Sequence, residues 1–230
     1  MIRLAVTLGL PLAAALAQAA GDPQAAGDPL EAVNRRVHGF NMLAQRHVLG
    51  PVALAYVTWT PAPMRAGVAN ALANLGEPVT AASALLVGEV TLAAQAATRF
   101  GINTTLGYGG VHDAAAGMGY PPVRMGVADA FCRWGIPSGP YLVLPLLGPS
   151  TLRDAGGLAV TSMMLAQVVG SDAMLGLSLG TSWVEYAALH PALLHADAQA
   201  LDSYATYRSQ YRQRRAGACA RESDLLARDE

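Results

Sequence analysis

TAASALLVGEVTLAAQAA, residues 80–97, is apolar enough to enter a lipid leaflet, yet Glu89 and Gln95 interrupt it. A second stretch, LAVTSMMLAQVVGSDAMLGLSL at 158–179, is broken in the same way by Gln167, Ser171 and Asp172. Inside hydrocarbon every polar group needs a partner, so neither stretch reads as a clean membrane crossing. Helices of this kind lie flat in one leaflet, or pack on one another, more readily than they span. The decisive expectation is therefore an all-α, monotopic membrane-embedded protein.

Working outward, Ala and Leu dominate the chain, while alternating runs of β-branched and aromatic residues are scarce. Helices are predicted over 29–41, 43–58, 63–74, 79–100, 123–134, 151–169, 174–189 and 198–215, with no hairpin series. Glycine and proline mark breaks at 59–63, 76–78, 107–110 and 137–140. Charged residues make up only 13% of the chain, about half the share of an ordinary soluble domain. The net charge of −1 leaves no general footprint for nucleic acid, and a basic face emerges only near the C-terminus.

The opening MIRLAVTLGLPLAAALAQA places Arg3 before an apolar run and ends with small residues at Ala17 and Ala19, the pattern of a cleaved secretory signal. The boundaries expected are a signal over 1–19, a linker over 20–27, a helical body over 28–197 and a basic amphipathic helix with a polar tail over 198–230. In that last segment Leu201, Tyr204, Tyr207 and Tyr211 recur at helical spacing beside Arg208, Arg212, Arg214 and Arg215. It reads equally as a helix docked on the body and as a surface for a partner or for anionic headgroups. Export permits a disulfide between Cys132 and Cys219. The simpler expectation is a small buried side chain at Cys132 and an unpaired thiol at Cys219.

Four stretches carry a further signal: DPLEAVNRRVHGFN at 28–41, NALANLGEPV at 70–79, TRFGINTTLGYGGVHDAA at 98–115 and WGIPSGPYLVLPLLGPSTLRDAGG at 134–157. In this order and spacing the chain resembles the VacJ/MlaA family of outer-membrane phospholipid-transport lipoproteins, over about residues 28–215. The resemblance implies a helical ring in the inner leaflet of the outer membrane around a central polar channel. It also implies transfer of stray outer-leaflet phospholipid to a periplasmic lipid-carrier protein, with trimeric porins as neighbours. The chain departs from the family pattern in one place: alanine stands where a lipidated cysteine directly follows the family's signal, so lipidation is not expected here.

Phospholipid transfer needs a route that keeps a headgroup hydrated and the acyl chains in apolar surroundings. Matching the family motifs, the channel candidates are Asn34, Arg35 and Asn41, then Asn74 and Glu77, then Asn103, Thr104 and Asp113, and finally Arg153 and Asp154. Gly107, Gly109, Gly110, Gly135 and Gly139 would form the tight turns that border such a route. Each polar candidate has a structural alternative, since buried amides and Arg–carboxylate pairs also hold helices together. No catalytic residue, cofactor or metal site is expected. Ser138 lies in GIPSG, which lacks the spacing of a nucleophile elbow, and His190 and His195 are five apart with no acidic cluster beside them. A hydrolase is the weakest alternative; a scaffold of membrane-lying helices that moves no lipid is the stronger one.

Overall fold

The structure, a computed structural model, describes residues 28–219. The expected signal, the linker and residues 220–230 lie outside the described residues. The first helix, α1 (Glu31–Ala44), passes through a wide π turn at Gln45–Leu49 into α2 (Gly50–Trp59). There follow α3 (Ala62–Leu86), α4 (Val90–Thr105), a single turn α5 (Ala114–Gly117) and α6 (Val127–Arg133). A hairpin of β1 (Tyr141–Leu144) and β2 (Gly148–Thr151) leads to α7 (Leu152–Val169), α8 (Ser171–Gln199) and α9 (Ser203–Cys219). Among the described residues no helix is long and apolar enough to cross a membrane, in keeping with the monotopic expectation.

The break expected at 76–78 is absent, because α3 runs straight through it with Pro78 in its interior. Pro78 offers no N–H to the helix, but the same two turns present Asn74 and Glu77 to α4 and bury them. Tertiary contact outweighs the local proline penalty, and the turn falls later, at Val87 and Gly88 (φ +82°). The corner between α2 and α3 is closed by Arg65, whose Nη1 donates to the Val57 carbonyl at 2.6 Å and to that of Thr60. Those are end-of-helix acceptors that would otherwise lack donors.

The hairpin is the element the sequence reading lacked. It pairs Tyr141 with Thr151 and Leu144 with Gly148 around a three-residue loop, with Leu146 at φ +63°. Four-residue strands, with Pro145 just after β1 and Pro149 inside β2, give almost no alternation to read. Their outer edge is completed by amide side chains of α1. Asn34 Nδ2 donates to the Tyr141 carbonyl at 2.9 Å while its Oδ1 accepts from Val143 N at 2.9 Å. Two helical turns on, Asn41 treats the Leu144 carbonyl and Leu146 N in the same way, at 2.9 and 2.8 Å. A helix thus stands in for a third strand and leaves the edge with its polar groups paired.

Helix α9 docks on the hairpin. Tyr141 lies between Tyr204 and Tyr211, with ring centroids 6.0 Å away on either side and edge-on geometry. Behind it, Cys132 of α6 and Cys219 at the end of α9 form a disulfide, with Cα atoms 5.5 Å apart. This corrects the expectation of two unpaired thiols. A separation of 87 residues carries no pairing signal, and only docking of α9 brings the two together.

The distribution of side chains is inverted relative to a water-soluble domain. Among the described residues 13 buried hydrophobic side chains face 13 buried polar or charged ones, while 33 large hydrophobic side chains are exposed. The apolar core is small and alanine-rich, centred on Ala84, Ala93, Met125 and Ala130. Exposed apolar area on this scale marks a surface that meets lipid or a partner rather than water.

Candidate functional site

The largest buried polar cluster forms where α3, α4 and the glycine-rich turn after α4 converge. At its centre Arg99, 3% exposed, points from α4 toward α3. Its Nε donates to Glu77 Oε1 at 2.6 Å, Nη1 to the Tyr120 carbonyl at 2.6 Å, and Nη2 to Asp113 Oδ2 at 3.2 Å. Burial works against the Arg99 charge, but the hydrogen bonds to Glu77 and Asp113 outweigh it and hold the guanidinium protonated. Asp113 shows the mirror effect: burial favours its neutral form, yet Arg99, Asn103 and the Ala116 amide pull its carboxyl below the ordinary range.

Asn103, one helical turn beyond Arg99, extends the cluster. Its Nδ2 donates to Asp113 Oδ1 at 3.0 Å and its Oδ1 accepts from Ala115 N at 2.9 Å. Asp113 Oδ1 also caps α5 by accepting from Ala116 N at 3.2 Å. Asn74 Nδ2 donates to Thr104 Oγ1 at 3.0 Å. The turn over this cluster must be glycine: a Cβ on Gly107 would lie 2.2 Å from the His112 carbonyl, and one on Gly110 (φ +92°) 2.6 Å from Asn74 Cβ. Among the described residues Asn74 Oδ1 and Glu77 Oε2 stay buried without a hydrogen-bond partner. Unpaired acceptors in an otherwise complete network mark where a polar ligand group could be received.

Seven of the fifteen sequence candidates meet here: Asn74, Glu77, Asn103, Thr104, Gly107, Gly110 and Asp113. Gly109 (φ +73°) lies on the outer side of the same turn with open space beside it. The others lie elsewhere. Asn34 and Asn41 hold the hairpin edge. Arg35 is exposed and bridges Glu31 and Asp202, each at 2.7 Å, pulling the Asp202 carboxyl down to about 2. Arg153 and Asp154 belong to a latch beside the disulfide. There Asp154 accepts from the Tyr211 hydroxyl and from Arg215 Nη2 at 3.0 Å, while Arg153 Nη1 donates to the Ile136 carbonyl at 3.1 Å. Gly135 (φ +80°) and Gly139 (φ +67°) turn the chain between α6 and β1.

Arg99 itself was missed. The signal existed, since it is the sole Lys or Arg between Arg65 and Arg124 and shares that interval with three acids, Glu77, Glu89 and Asp113. A lone cation in so apolar a stretch needs a carboxylate partner. Two residues that a hydrolase would recruit are engaged elsewhere: the Ser138 hydroxyl turns to the Gly139 carbonyl at 3.4 Å, and Asp154 accepts from Tyr211 and Arg215.

Comparison with known proteins adds the following. Residues 26–218 match the family described as MlaA lipoprotein. The chain is 35% identical over 160 residues to the intermembrane phospholipid transport system lipoprotein MlaA of Escherichia coli strain K12, covering 66% of this chain and 62% of that protein. It is 32% identical over 190 residues to the protein of the same name from Haemophilus influenzae, covering 80% of this chain and 76% of that one. An uncharacterised protein of Rickettsia felis is 34% identical over 135 residues, of which the chain spans only 54% of the length. Among solved structures, one described as "Structural basis for maintenance of bacterial outer membrane lipid asymmetry" superposes with a TM-score of 0.74 at 31% identity, over 85% of this chain and all of that one.

Proposed function

The chain belongs to the MlaA lipoprotein family, and on that premise we propose that it moves phospholipid between membranes to keep the outer membrane asymmetric. It lies in the periplasmic-side leaflet of the outer membrane, takes phospholipid that has strayed into the outer leaflet, and hands it to a periplasmic carrier, with a trimeric porin as neighbour. It breaks and makes no covalent bond. The observation that carries this reading is the inverted distribution of side chains: apolar helix faces turned outward and charged groups collected inside. Such a body seats in hydrocarbon while offering a headgroup a polar interior. The unpaired Asn74 and Glu77 oxygens, under a turn built of glycines, are the proposed lining of the passage.

Phospholipid exposed on the surface of intact cells, measured with an external phospholipase, tests this. Exposure is expected to rise on deletion of the gene and fall on complementation; no change, with the protein present in the membrane, would overturn it. One observation favours a scaffold instead: Asn34, Asn41, Arg153 and Asp154 all bond to other parts of the chain. Asn74→Leu separates the two, because it keeps the side-chain volume while removing the unpaired Oδ1 that the reading places in the lining. Loss of transport with the protein still inserted supports a passage, whereas full transport removes it.

A further inference from the structure

The π turn at Gln45–Leu49 creates a second polar site, away from the Arg99 cluster. An extra residue in the turn widens the helix there, and opposite it α8 continues past Pro191 to Gln199. The two helices touch at Gly50, where a Cβ would sit 3.0 Å from the His190 ring. Beside that contact they enclose an open cavity of about 730 Å³, large enough for a small amphiphile or the headgroup end of a lipid.

Two polar groups in its wall are incompletely paired. Gln45 is 9% exposed, and its Nε2 makes no hydrogen bond of acceptable geometry, although the Tyr207 phenol lies close by. Asp197 Oδ1 is likewise enclosed and unpaired, while Oδ2 accepts a long bond of 3.4 Å from Tyr207. Arg46, exposed, supplies a cation to the same wall, and Leu54 and Leu194 make an apolar side. A donor pair, an acceptor and an apolar side in one cavity describe the inverse of a zwitterionic amphiphile.

We propose that this cavity binds the headgroup of a phospholipid that carries a primary ammonium, with its phosphate toward Arg46 and Gln45 and its ammonium toward Asp197. The first methylenes then lie along Leu54 and Leu194. A headgroup without an ammonium offers Asp197 at most a neutral hydroxyl and leaves the phosphate charge uncompensated beside it, so the cavity discriminates by headgroup. The proposal rests on the transport reading and adds to it a lipid preference.

The test uses the full chain, purified in detergent with its disulfide intact and exposed to equimolar phosphatidylethanolamine and phosphatidylglycerol in mixed micelles. Bound lipid is read by native mass spectrometry. Enrichment of phosphatidylethanolamine of about tenfold is expected, from one charge-assisted hydrogen bond. Asp197→Asn brings the ratio near parity, Arg46→Gln weakens both lipids, and Leu54→Trp fills the cavity and excludes both. Arg46 and Leu54 are exposed, so those two variants leave the interior intact. Equal binding of both lipids by the unaltered protein, or undiminished enrichment in Asp197→Asn, overturns the proposal while the transport reading stands. Absence of any bound lipid, together with unchanged surface phospholipid on deletion, overturns both.

Discussion

Arg99 shows how a buried charge organises this interior. Its pairs with Glu77 and Asp113 bring together three segments that are 22 and 14 residues apart in sequence. Removing one partner of a buried pair leaves the other charge without compensation, so Arg99→Met is expected to destabilise by about 3 to 5 kcal/mol. Chemical denaturation checks this, and Arg99→Met with Glu77→Leu should recover part of the loss. The depressed Asp113 carboxyl gives a second prediction. A group whose folded pKa lies below its unfolded one contributes stability that is complete above the ordinary carboxylate range and is lost as pH falls through the folded value. Melting temperature should therefore drop on acidification below about pH 4, and Asp113→Asn, already weaker at neutral pH, should drop less steeply. Most of this cluster was reached through the resemblance to the family's motifs at 70–79 and 98–115. Arg99 stayed hidden because the identity of its partners is a tertiary fact.

At the level of elements, the helices were legible, as were the breaks at 59–63, 107–110 and 137–140, whereas the one at 76–78 was not real. Composition predicts helix almost everywhere, and the observed helices overlap the expected ones. Yet Gly76 and Pro78 look like a break, and burial of Asn74 and Glu77 against α4 overrides them. The hairpin was invisible for the opposite reason: its strands are too short for a period, and the edge of β1 is hydrogen-bonded by α1 side chains rather than by a third strand. Asn34 tests that account. Asn34→Leu removes both hydrogen bonds to β1 and the one to Asp28 at 2.9 Å, with an expected cost of about 2 to 4 kcal/mol. Amide exchange at Val143 should accelerate, while the amides of α4 keep their protection. Equal acceleration in both would mean that the hairpin does not open as a separate unit.

Taken whole, the molecule is held together by a few polar clusters, two small apolar clusters and one covalent bridge, and its apolar mass faces outward. Membrane attachment through such a surface should resist high salt and carbonate, which strip proteins bound by surface charge; release under either would contradict it. The bridge closes 87 residues, so Cys219→Ser should lower stability by about 4 kcal/mol by chain-entropy reasoning, read as a lower denaturation midpoint.

That bridge also works as a check on completeness. Cys219 lies at the end of α9, so Cys132 has no partner until the hairpin, α7, α8 and α9 have been delivered. A chain cut between residues 132 and 219 carries one unpaired thiol, whereas in the described residues both cysteines are bridged. Thiol alkylation of nascent or truncated chains therefore reports whether α9 has arrived. An oxidase acting on this protein is, in effect, asking whether α9 has docked.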